Sequence, residues 1–216
     1  MIVAAHQPGY LPGVSVVAKI ARADVVVWLD DVRFTTPGYV NRNQLPDGTW
    51  LAVPVERRDH RTPIRDVVIG HDGGDWRRDH SAALWRYHDA AHFDPTIPRI
   101  LDSEWAAPGA PLVGLNLRMV AFILADLGLA PAEHRQSKLD VAGGGSLSTR
   151  LARQVRAVGG TAYLTSPSRA LDRDVFAAEG IELLNFEYAG DNPSVIDPLF
   201  RTGRLPTTPR QEVVAA

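Results

Sequence analysis

The chain contains no cysteine among its 216 residues, and this absence excludes several classes of chemistry. Without a thiol there can be no disulfide, no thiolate nucleophile and no cysteine-ligated metal. Lysine is nearly as scarce, because only Lys19 and Lys138 contribute to the 23 basic residues and arginine supplies the rest. A lysine retained against this bias is a candidate for work that needs a compact ammonium, which a planar guanidinium does not imitate. Chance survival on a solvated helix face is the alternative.

Strong charge and long apolar runs are also missing. The net charge of -2 provides no basic surface for nucleic acid or an anionic membrane. No uncharged run is long enough to span a bilayer, and the amino terminus lacks the basic region and long apolar core of a signal peptide. We therefore expect a soluble cytoplasmic protein with no nucleic-acid partner and no membrane insertion. The 45% hydrophobic content is sufficient for a substantial core.

Continuous apolar runs at residues 2–5 and 25–29 predict strands that are buried on both faces, as in parallel sheets covered by helices. Hydrophobic patterning adds further predicted elements: strands at residues 50–55, 64–69, 161–165 and 181–188, and helices at residues 75–93, 112–127 and from a cap at Ser146 or Ser148 to Val158. We predict one α/β domain over residues 1–205, with a mainly parallel sheet flanked by helices in Rossmann-like or nucleotidylyltransferase-like layering. Residues 206–216 are predicted to be a frayed tail.

Polar residues follow both amino-terminal strands at their carboxyl ends, where open α/β sheets bind ligands. His6 follows the first strand, and Asp30 and Asp31 follow the second. If the two strands are adjacent and parallel, we expect His6 and at least one aspartate to line the same cavity. The segment 41–43 is expected to form another wall of this cavity.

Each of these residues has a chemical and a structural interpretation. His6 can act as a general acid or base near neutral pH, or it can be a hydrogen-bonded structural histidine. Asp30 and Asp31 alternate in direction, so one of them can orient His6, bind a substrate amine or hold Mg²⁺, and a capping role stays open. Arg42 can hold a phosphate or carboxylate, or lie solvated in a turn. Neutral amides that suit an amide, a sugar hydroxyl or a nucleobase edge are present at Gln7, Asn41 and Asn43.

The glycine-rich segment at residues 143–150 precedes a predicted helix, and its backbone N–H groups can bind a phosphate. The order Ser146-Leu147-Ser148-Thr149-Arg150 is similar to the second motif of nucleotidylyltransferase-type enzymes. The first motif of those enzymes is incomplete, because no second histidine follows His6 within three residues. A simple turn is the alternative.

The other histidines point to less chemistry. His88 and His92 have the spacing of metal ligands on a helix, but no third ligand is evident and a solvated face is preferred. His80 falls on the apolar stripe of its helix and is predicted to be a satisfied core residue. We predict no metal site built from these histidines.

Motifs spread over most of the chain resemble the WbqC-like family of bacterial proteins. They are His6 to Pro12 with Tyr10 inside, Lys19, the strand from Asp24 to Val32, Asn41-Arg42-Asn43, Leu51 to Pro54, Trp76, Tyr87, Asn116, Ser137-Lys138-Leu139, Thr149-Arg150-Leu151 and Tyr163-Leu164. Two segments depart from the family pattern, at residues 165–169 and 190–194. If those loops contact the acceptor, the acceptor of this protein differs from that of its relatives.

The resemblance implies a role in surface-polysaccharide or specialised-metabolite biosynthesis, where transfer of glycine or another acyl group onto a sugar has been proposed for members. We therefore predict an enzyme, a small-molecule acyl or aminoacyl transferase. The alternatives are an ATP-dependent ligase or nucleotidyl transferase, and a non-catalytic binding protein for a sugar-linked intermediate. A nucleotide or Mg²⁺ as cofactor and a homodimer are left open.

The predicted site has two groups of residues. The catalytic group is His6, Lys19, Asp30 and Asp31. The substrate-binding group is Gln7, Tyr10, Asn41, Arg42, Asn43, Lys138, Ser148, Thr149 and Arg150.

Overall fold

The computed structural model describes residues 1–57, 59–72, 74–166, 170–206 and 213–215. Its strands and α-helices follow one another as β1 (Ile2–His6), α1 (Val14–Ile20), β2 (Val25–Trp28), β3 (Arg42–Gln44), β4 (Trp50–Ala52), β5 (Val55–Glu56), β6 (Val68–Ile69), α2 (Trp76–Trp85), α3 (Thr96–Arg99), α4 (Leu112–Asp126), β7 (Ala132–Arg135), α5 (Leu147–Ala157), β8 (Ala162–Thr165), α6 (Arg173–Ala178), β9 (Glu182–Phe186), α7 (Ile196–Thr202) and β10 (Val213–Ala215). Short 3₁₀ helices occur at Ile64–Asp66, Ile100–Asp102, Glu104–Ala106 and Gln136–Lys138.

The central sheet has six strands in the order β10-β9-β8-β1-β2-β7. Strands β1, β2, β7, β8 and β9 are mutually parallel, and β10 pairs with β9 in the antiparallel direction. Two small antiparallel pairs, β3 with β4 and β5 with β6, lie outside this sheet. The prediction of an α/β domain with a mainly parallel sheet flanked by helices is confirmed.

The two amino-terminal strands are buried on both faces, as their continuous apolar runs predict. Val3 pairs with Val25 and Ala5 with Val27, so β1 and β2 are neighbours joined by α1. Successive side chains of β2 point to opposite faces, with Val26 in one hydrophobic cluster and Val25 in the other. The sheet therefore separates two cores.

The two cores differ in size and in the helices that build them. The larger one contains buried side chains from α1, α2, α4 and α7 together with the two small strand pairs, for example Val17, Leu84 and Phe200. The smaller one is built by α5 and α6, with Leu151 and Phe176 packed against the opposite face. This three-layer arrangement leaves the carboxyl edge of the sheet between two sets of helices.

The strand order reverses between β1 and β8. From β1 the chain passes through α1 to β2 on one side, and β8 pairs with the other side of β1. Such a switch point opens a crevice beyond the carboxyl ends of the strands, where ligands of open α/β sheets bind. His6 ends β1 and Thr165 ends β8, so both residues lie at this point.

Some elements differ from the sequence prediction. The predicted helix over residues 75–93 ends at Trp85, because the next residues turn to pack Tyr87 and Phe93 against Phe200 of α7. His88 and His92 therefore do not share a helix face. Within the described residues, no group of three or more histidine, aspartate or glutamate side chains could hold a metal ion.

Other differences concern strands. Residues 64–69 form a 3₁₀ turn followed by the two-residue strand β6 rather than one continuous strand. Strands β3 and β7 were not predicted, because both are short and polar, and β7 lies at the sheet edge. The carboxyl-terminal segment, predicted to be a frayed tail, contains β10, while residues 207–212 lie outside the described part of the chain.

Candidate functional site

A cavity of about 1020 Å³ lies at the carboxyl edge of the sheet, over the switch point between β1 and β8. Its size is typical of a small-molecule site, for which cavities of about 300 to 1,000 Å³ are usual. The chemistry-bearing residues that line it are His6, Gln7, Ser15, Lys19, Tyr39, Tyr163, Thr165, Ser166, Glu187 and Tyr188. The cavity thus collects residues from β1, α1 and the ends of β8 and β9.

The turn after β1 forms one wall of this cavity. Leu11 adopts a φ of 43°, a left-handed conformation that non-glycine residues rarely occupy, and its side chain is fully buried. Pro12 and Gly13 follow, line the cavity and lead into α1. A side chain at Gly13 would collide with Asn192, whose Oδ1 lies 2.5 Å from the position of a Cβ atom. Glycine at position 13 therefore allows Asn192 to pack against the start of the helix that carries Lys19.

Two buried asparagines hold this turn in place. The Asn43 side-chain amide donates to the Leu11 carbonyl oxygen, and the Asn116 amide donates to the carbonyl oxygens of Pro8 and Val40. These bonds satisfy backbone acceptors of the turn and of Val40, whose carbonyl oxygen also accepts the backbone N–H of Tyr10. Asn43 and Asn116 therefore position the cavity wall from behind.

Tyr10 differs from its predicted role as a substrate-binding residue. Its side chain is fully buried, and its hydroxyl lies 3.0 Å from Nδ1 of His80. Burial raises the pKa of Tyr10 far above its usual value, so the hydroxyl stays neutral. His80, predicted to be a satisfied core residue, is buried and bonded as expected. Tyr10 anchors the motif in the core and is not among the residues lining the cavity.

His6, Gln7 and Lys19 lie together on the cavity wall, as the sequence predicts for a common site. Lys19 is only 7% exposed, and its Nζ lies 5.8 Å from the centre of the Tyr163 ring. Cation–π contact of this kind stabilises a cation that has lost much of its hydration. A buried ammonium and an imidazole therefore face the same space.

Asp30 does not share the cavity with His6, contrary to the sequence prediction. Its carboxylate is fully buried, accepts a hydrogen bond from Nε of Arg135 at 2.7 Å and forms an ion pair with Nη2 of the same residue at 2.7 Å. Ser137 donates to it through the backbone N–H at 2.8 Å and the hydroxyl at 2.6 Å. With its lone pairs used in this way, Asp30 joins the end of β2 to the segment after β7, rather than orienting His6.

Asp31, like Asp30, follows β2 rather than lying in it, and the two carboxylates have different partners. Asp31 is exposed and forms an ion pair with Arg65. It lines a second, smaller cavity and not the main one. Neither aspartate therefore lines the main cavity with His6, and the prediction that at least one of them would do so is wrong.

The segment 41–43 also differs from the prediction, because Arg42 and Asn43 lie in β3 and the segment supports the wall instead of lining it. Asn41 donates its amide to the Val53 carbonyl oxygen, in addition to the backbone bond between these residues. Arg42 donates to the Gly38 carbonyl oxygen and stacks over the exposed Trp50 ring at 4.6 Å. Tyr39, which precedes this segment, is the residue that reaches the cavity.

The glycine-rich segment forms a wall of the second cavity, which has a volume of about 470 Å³. Ser146 caps α5, accepting the backbone N–H of Thr149 at 3.1 Å, so the predicted helix start is confirmed. Ser148 is buried and its hydroxyl accepts the backbone N–H of Asp172. Arg150 lines this cavity, whereas the exposed Lys138 lines neither cavity. Ser148 and Thr149 thus bond to other parts of the protein and line neither cavity.

A model of the WbqC-like protein family matches residues 7–203. The chain belongs to the WbqC-like family. This WbqC-like protein is also 28% identical over 226 residues to the uncharacterized protein Rv1507c of Mycobacterium tuberculosis (strain ATCC 25618 / H37Rv), covering 93% of this chain and 94% of that protein. No solved structure matches it significantly. None of the helices described in this WbqC-like protein is long and apolar enough to cross a membrane.

Both segments that depart from the family pattern lie beside the main cavity. Thr165 and Ser166 line it, while residues 167–169 of that segment lie outside the described residues. In the second segment, Oδ1 of Asn192 accepts the backbone N–H of Ser15, and Pro193 accepts that of Val14. The departures therefore alter the surroundings of the cavity at β8 and at the start of α1.

Several lining residues were not predicted from the sequence. Thr165, Glu187 and Tyr188 reach the cavity because β8 lies beside β1 and β9 lies beside β8 in the sheet. Burial and the neighbouring Asp191 raise the pKa of Tyr188, which favours its neutral hydroxyl. The sequence offered one signal for these residues, because they lie at the ends of predicted strands. The carboxyl ends of parallel strands lie at the same edge of a sheet.

Proposed function

We propose that this WbqC-like protein is a small-molecule transferase that moves an acyl or aminoacyl group onto an amine or hydroxyl acceptor in the main cavity. The observation that supports this most directly is the presence of His6 and the buried Lys19 on the wall of one cavity at the sheet's switch point. We further propose that the reaction belongs to surface-polysaccharide or specialised-metabolite biosynthesis, on the basis of family membership.

In the proposed reaction, His6 removes the proton from the acceptor amine or hydroxyl as it attacks the donor carbonyl. The new bond converts the carbonyl oxygen to an oxyanion, and the Lys19 ammonium stabilises that charge in a site partly shielded from water. When the intermediate collapses, the bond to the donor's leaving group breaks, and His6 returns the proton to that group. The acceptor gains the acyl group, the leaving group gains the proton, and His6 returns to its starting protonation state.

The remaining polar groups of the cavity suit substrate binding. Glu187 is the carboxylate of this wall and can pair with the ammonium of an aminoacyl group. Gln7, Thr165 and Ser166 offer neutral donors and acceptors for hydroxyl or amide groups. The Thr165 hydroxyl is buried without a hydrogen-bond partner among the described residues, so a ligand group can satisfy it at a gain.

The test begins with a thermal-shift screen of the parent protein against nucleotides, aminoacyl donors and nucleotide sugars. A ligand at 100 times its dissociation constant adds about 2.7 kcal/mol to the free energy of unfolding, which identifies donor and acceptor. With these in hand, we expect His6→Gln to bind both ligands but to transfer the acyl group about 10²- to 10⁴-fold more slowly and to lose the parent's pH–rate profile.

His60→Gln is the matched control, because His60 is exposed and does not line the main cavity. Its rate should equal that of the parent. If His6→Gln kept the parent rate and pH dependence, the proposed role of His6 would be wrong. ATP consumption coupled to acceptor modification would instead indicate a ligase, and tight binding with no turnover of any donor would indicate a binding protein.

A further inference from the structure

A second cavity of about 470 Å³ adjoins the main one at the carboxyl edge of the sheet. Leu29, Val32 and Leu147 line both cavities, so these three side chains form the partition between them. Leu147 is also the first residue of α5. A ligand longer than either cavity can therefore lie across the partition, with its two ends in different surroundings.

The second cavity is rich in arginine. Arg33, Arg65 and Arg150 line it, and Asp31 is the acidic residue on its wall. Arg65 is paired with Asp31, whereas no carboxylate within the described residues forms an ion pair with Arg33 or Arg150. Two guanidinium groups are thus left to neutralise an anion brought by a ligand, which suits the bidentate geometry of phosphate.

Two buried amides point to a ligand with hydrogen-bond donors as well. Gln154 is only 3% exposed, and the side-chain oxygens of Gln154 and Gln136 are buried without a hydrogen-bond partner among the described residues. Both residues line the second cavity. A buried acceptor left unpaired costs about 1 to 3 kcal/mol, so a hydroxyl or amino group of a ligand would be bound favourably there.

The glycine segment completes this cavity on the side of α5. Gly143 and Gly144 line it, and Arg153 donates to the carbonyl oxygens of Ala142 and Gly144, which fixes the path of the loop. Gly144 has a φ of 89°, a conformation that side chains rarely adopt. The amino end of α5 follows, where the helix dipole favours negative charge.

We infer that the second cavity binds a phosphate ester that carries hydroxyl or amino groups, such as a nucleotide or a sugar phosphate. Arg33 and Arg150 bind the phosphate, and Gln136 and Gln154 accept from the polar groups of the ester. Binding of the ester does not depend on the proposed function. Only one part of the inference rests on it: the ester is the phosphate-bearing part of the acyl donor, and the reacting carbonyl of that donor lies beyond Leu147, near His6.

Isothermal titration calorimetry tests the site without turnover. The parent is titrated with inorganic pyrophosphate, ATP, UDP and glucose 1-phosphate. We expect saturable binding of at least one ester with a dissociation constant below about 1 mM, and weaker binding of pyrophosphate, which lacks the donors that the glutamines need. Arg33→Gln and Arg150→Gln should each weaken the ester about tenfold or more, because each removes a charge-assisted hydrogen bond.

Arg173→Gln is the control, since Arg173 is exposed on α6 and lines neither cavity. It should leave binding unchanged. Ester binding should also survive in His6→Gln, which separates this site from the transferase proposal: a transferase that fails the His6 test can still bind the ester here. Absence of saturable binding by the parent, or equal affinity in Arg33→Gln, Arg150→Gln and Arg173→Gln, overturns the inference.

Discussion

At the scale of single residues, neighbouring polar residues of one sequence motif have different places in the structure: some line the cavity and others are buried behind it. His6 and Lys19 line it, while Tyr10, Asn43 and Asp30 of the same motifs are buried behind it with protein partners. Their hydrogen bonds fix the backbone on which the cavity-lining groups are placed. Cavity-lining and supporting residues thus occur within the same short motifs of the chain.

The scarcity of lysine leads to a prediction about Lys19, which is 7% exposed beside Tyr163. Lys19→Arg keeps the charge but adds a larger planar group to a packed position, where overpacking typically costs about 1 to 3 kcal/mol. We expect this change to reduce transfer by about tenfold or more. The measurement is turnover of the identified donor, with the unfolding temperature recorded in parallel.

Arg57→Lys and Arg61→Lys are the controls, since both residues are exposed in a charged turn. Arg58, in the same turn, lies outside the described residues. Both controls should keep the parent activity. Equal tolerance of all three changes would remove the argument from lysine scarcity.

At the scale of elements, the carboxyl end of β2 is joined to β7 by a buried polar cluster. The Asp30 carboxylate accepts three hydrogen bonds from Arg135 and Ser137 and forms an ion pair with Arg135. Arg135 lies at the end of β7, and Ser137 lies in the 3₁₀ turn after it. Trp28 donates its indole N–H to Glu133 of β7 at 2.6 Å. An edge strand with few apolar residues is therefore attached through polar contacts, which explains why hydrophobic patterning did not predict it.

This cluster predicts that Asp30→Asn destabilises the fold. Asparagine places an N–H₂ group against donors, and it leaves the Arg135 guanidinium without its carboxylate. Removing one partner of a buried pair typically costs about 3 to 5 kcal/mol. Chemical denaturation should show this loss in the free energy of unfolding.

Asp31→Asn is a control one residue away. Asp31 is exposed, and its ion pair with Arg65 is of the surface kind that contributes about 0 to 1 kcal/mol. A similar loss in the two variants would show that the buried cluster does not attach β7.

At the scale of the whole molecule, His80 connects helix α2 to the amino-terminal motif inside the larger core. Its Nδ1 lies 3.0 Å from the Tyr10 hydroxyl, and its ring contacts Trp76 edge-on. Burial lowers the pKa of His80 to about 4, and the negative charge of Asp79 opposes this shift. The imidazole is therefore neutral in the folded protein at pH 7, and its Nδ1 is hydrogen-bonded to the tyrosine hydroxyl.

The lowered pKa of His80 makes global stability depend on pH. Between about pH 6.5 and pH 4, the unfolded chain binds a proton at His80 that the folded chain does not, so acid favours unfolding. The stability is complete above the unfolded pKa and falls as the pH drops towards 4. We expect His80 to contribute a loss of about 2 kcal/mol between pH 7.5 and pH 5, measured by denaturant unfolding.

In His80→Asn this part of the pH dependence should disappear, even though the variant is less stable at every pH. The exposed His60→Asn should keep the parent's pH dependence. An unchanged slope in His80→Asn would contradict the assignment of a lowered pKa to this histidine.

The sequence by itself determined the layers of this protein. Runs of apolar residues with no polar alternation can be buried only between two helical layers, so β1 and β2 followed from residues 2–5 and 25–29. Capping and helical periodicity predicted a helix from Ser146 or Ser148 to Val158, and α5 begins after Ser146, because capping is a local interaction. The position of His6 at a strand end, and hence at a ligand-binding edge, was also a local property.

Only the tertiary structure decided which polar residues face the ligand space. Asp30 and Asn43 resemble site residues by their position, but partners about 30 to 100 residues away, Leu11 and Arg135, bind them and turn them inward. Thr165 and Glu187 line the cavity because the strand order places the ends of β8 and β9 at the same edge as the end of β1. Such pairings depend on long-range packing, in which a buried polar group takes whichever partner satisfies it, and no local pattern in the chain encodes that choice.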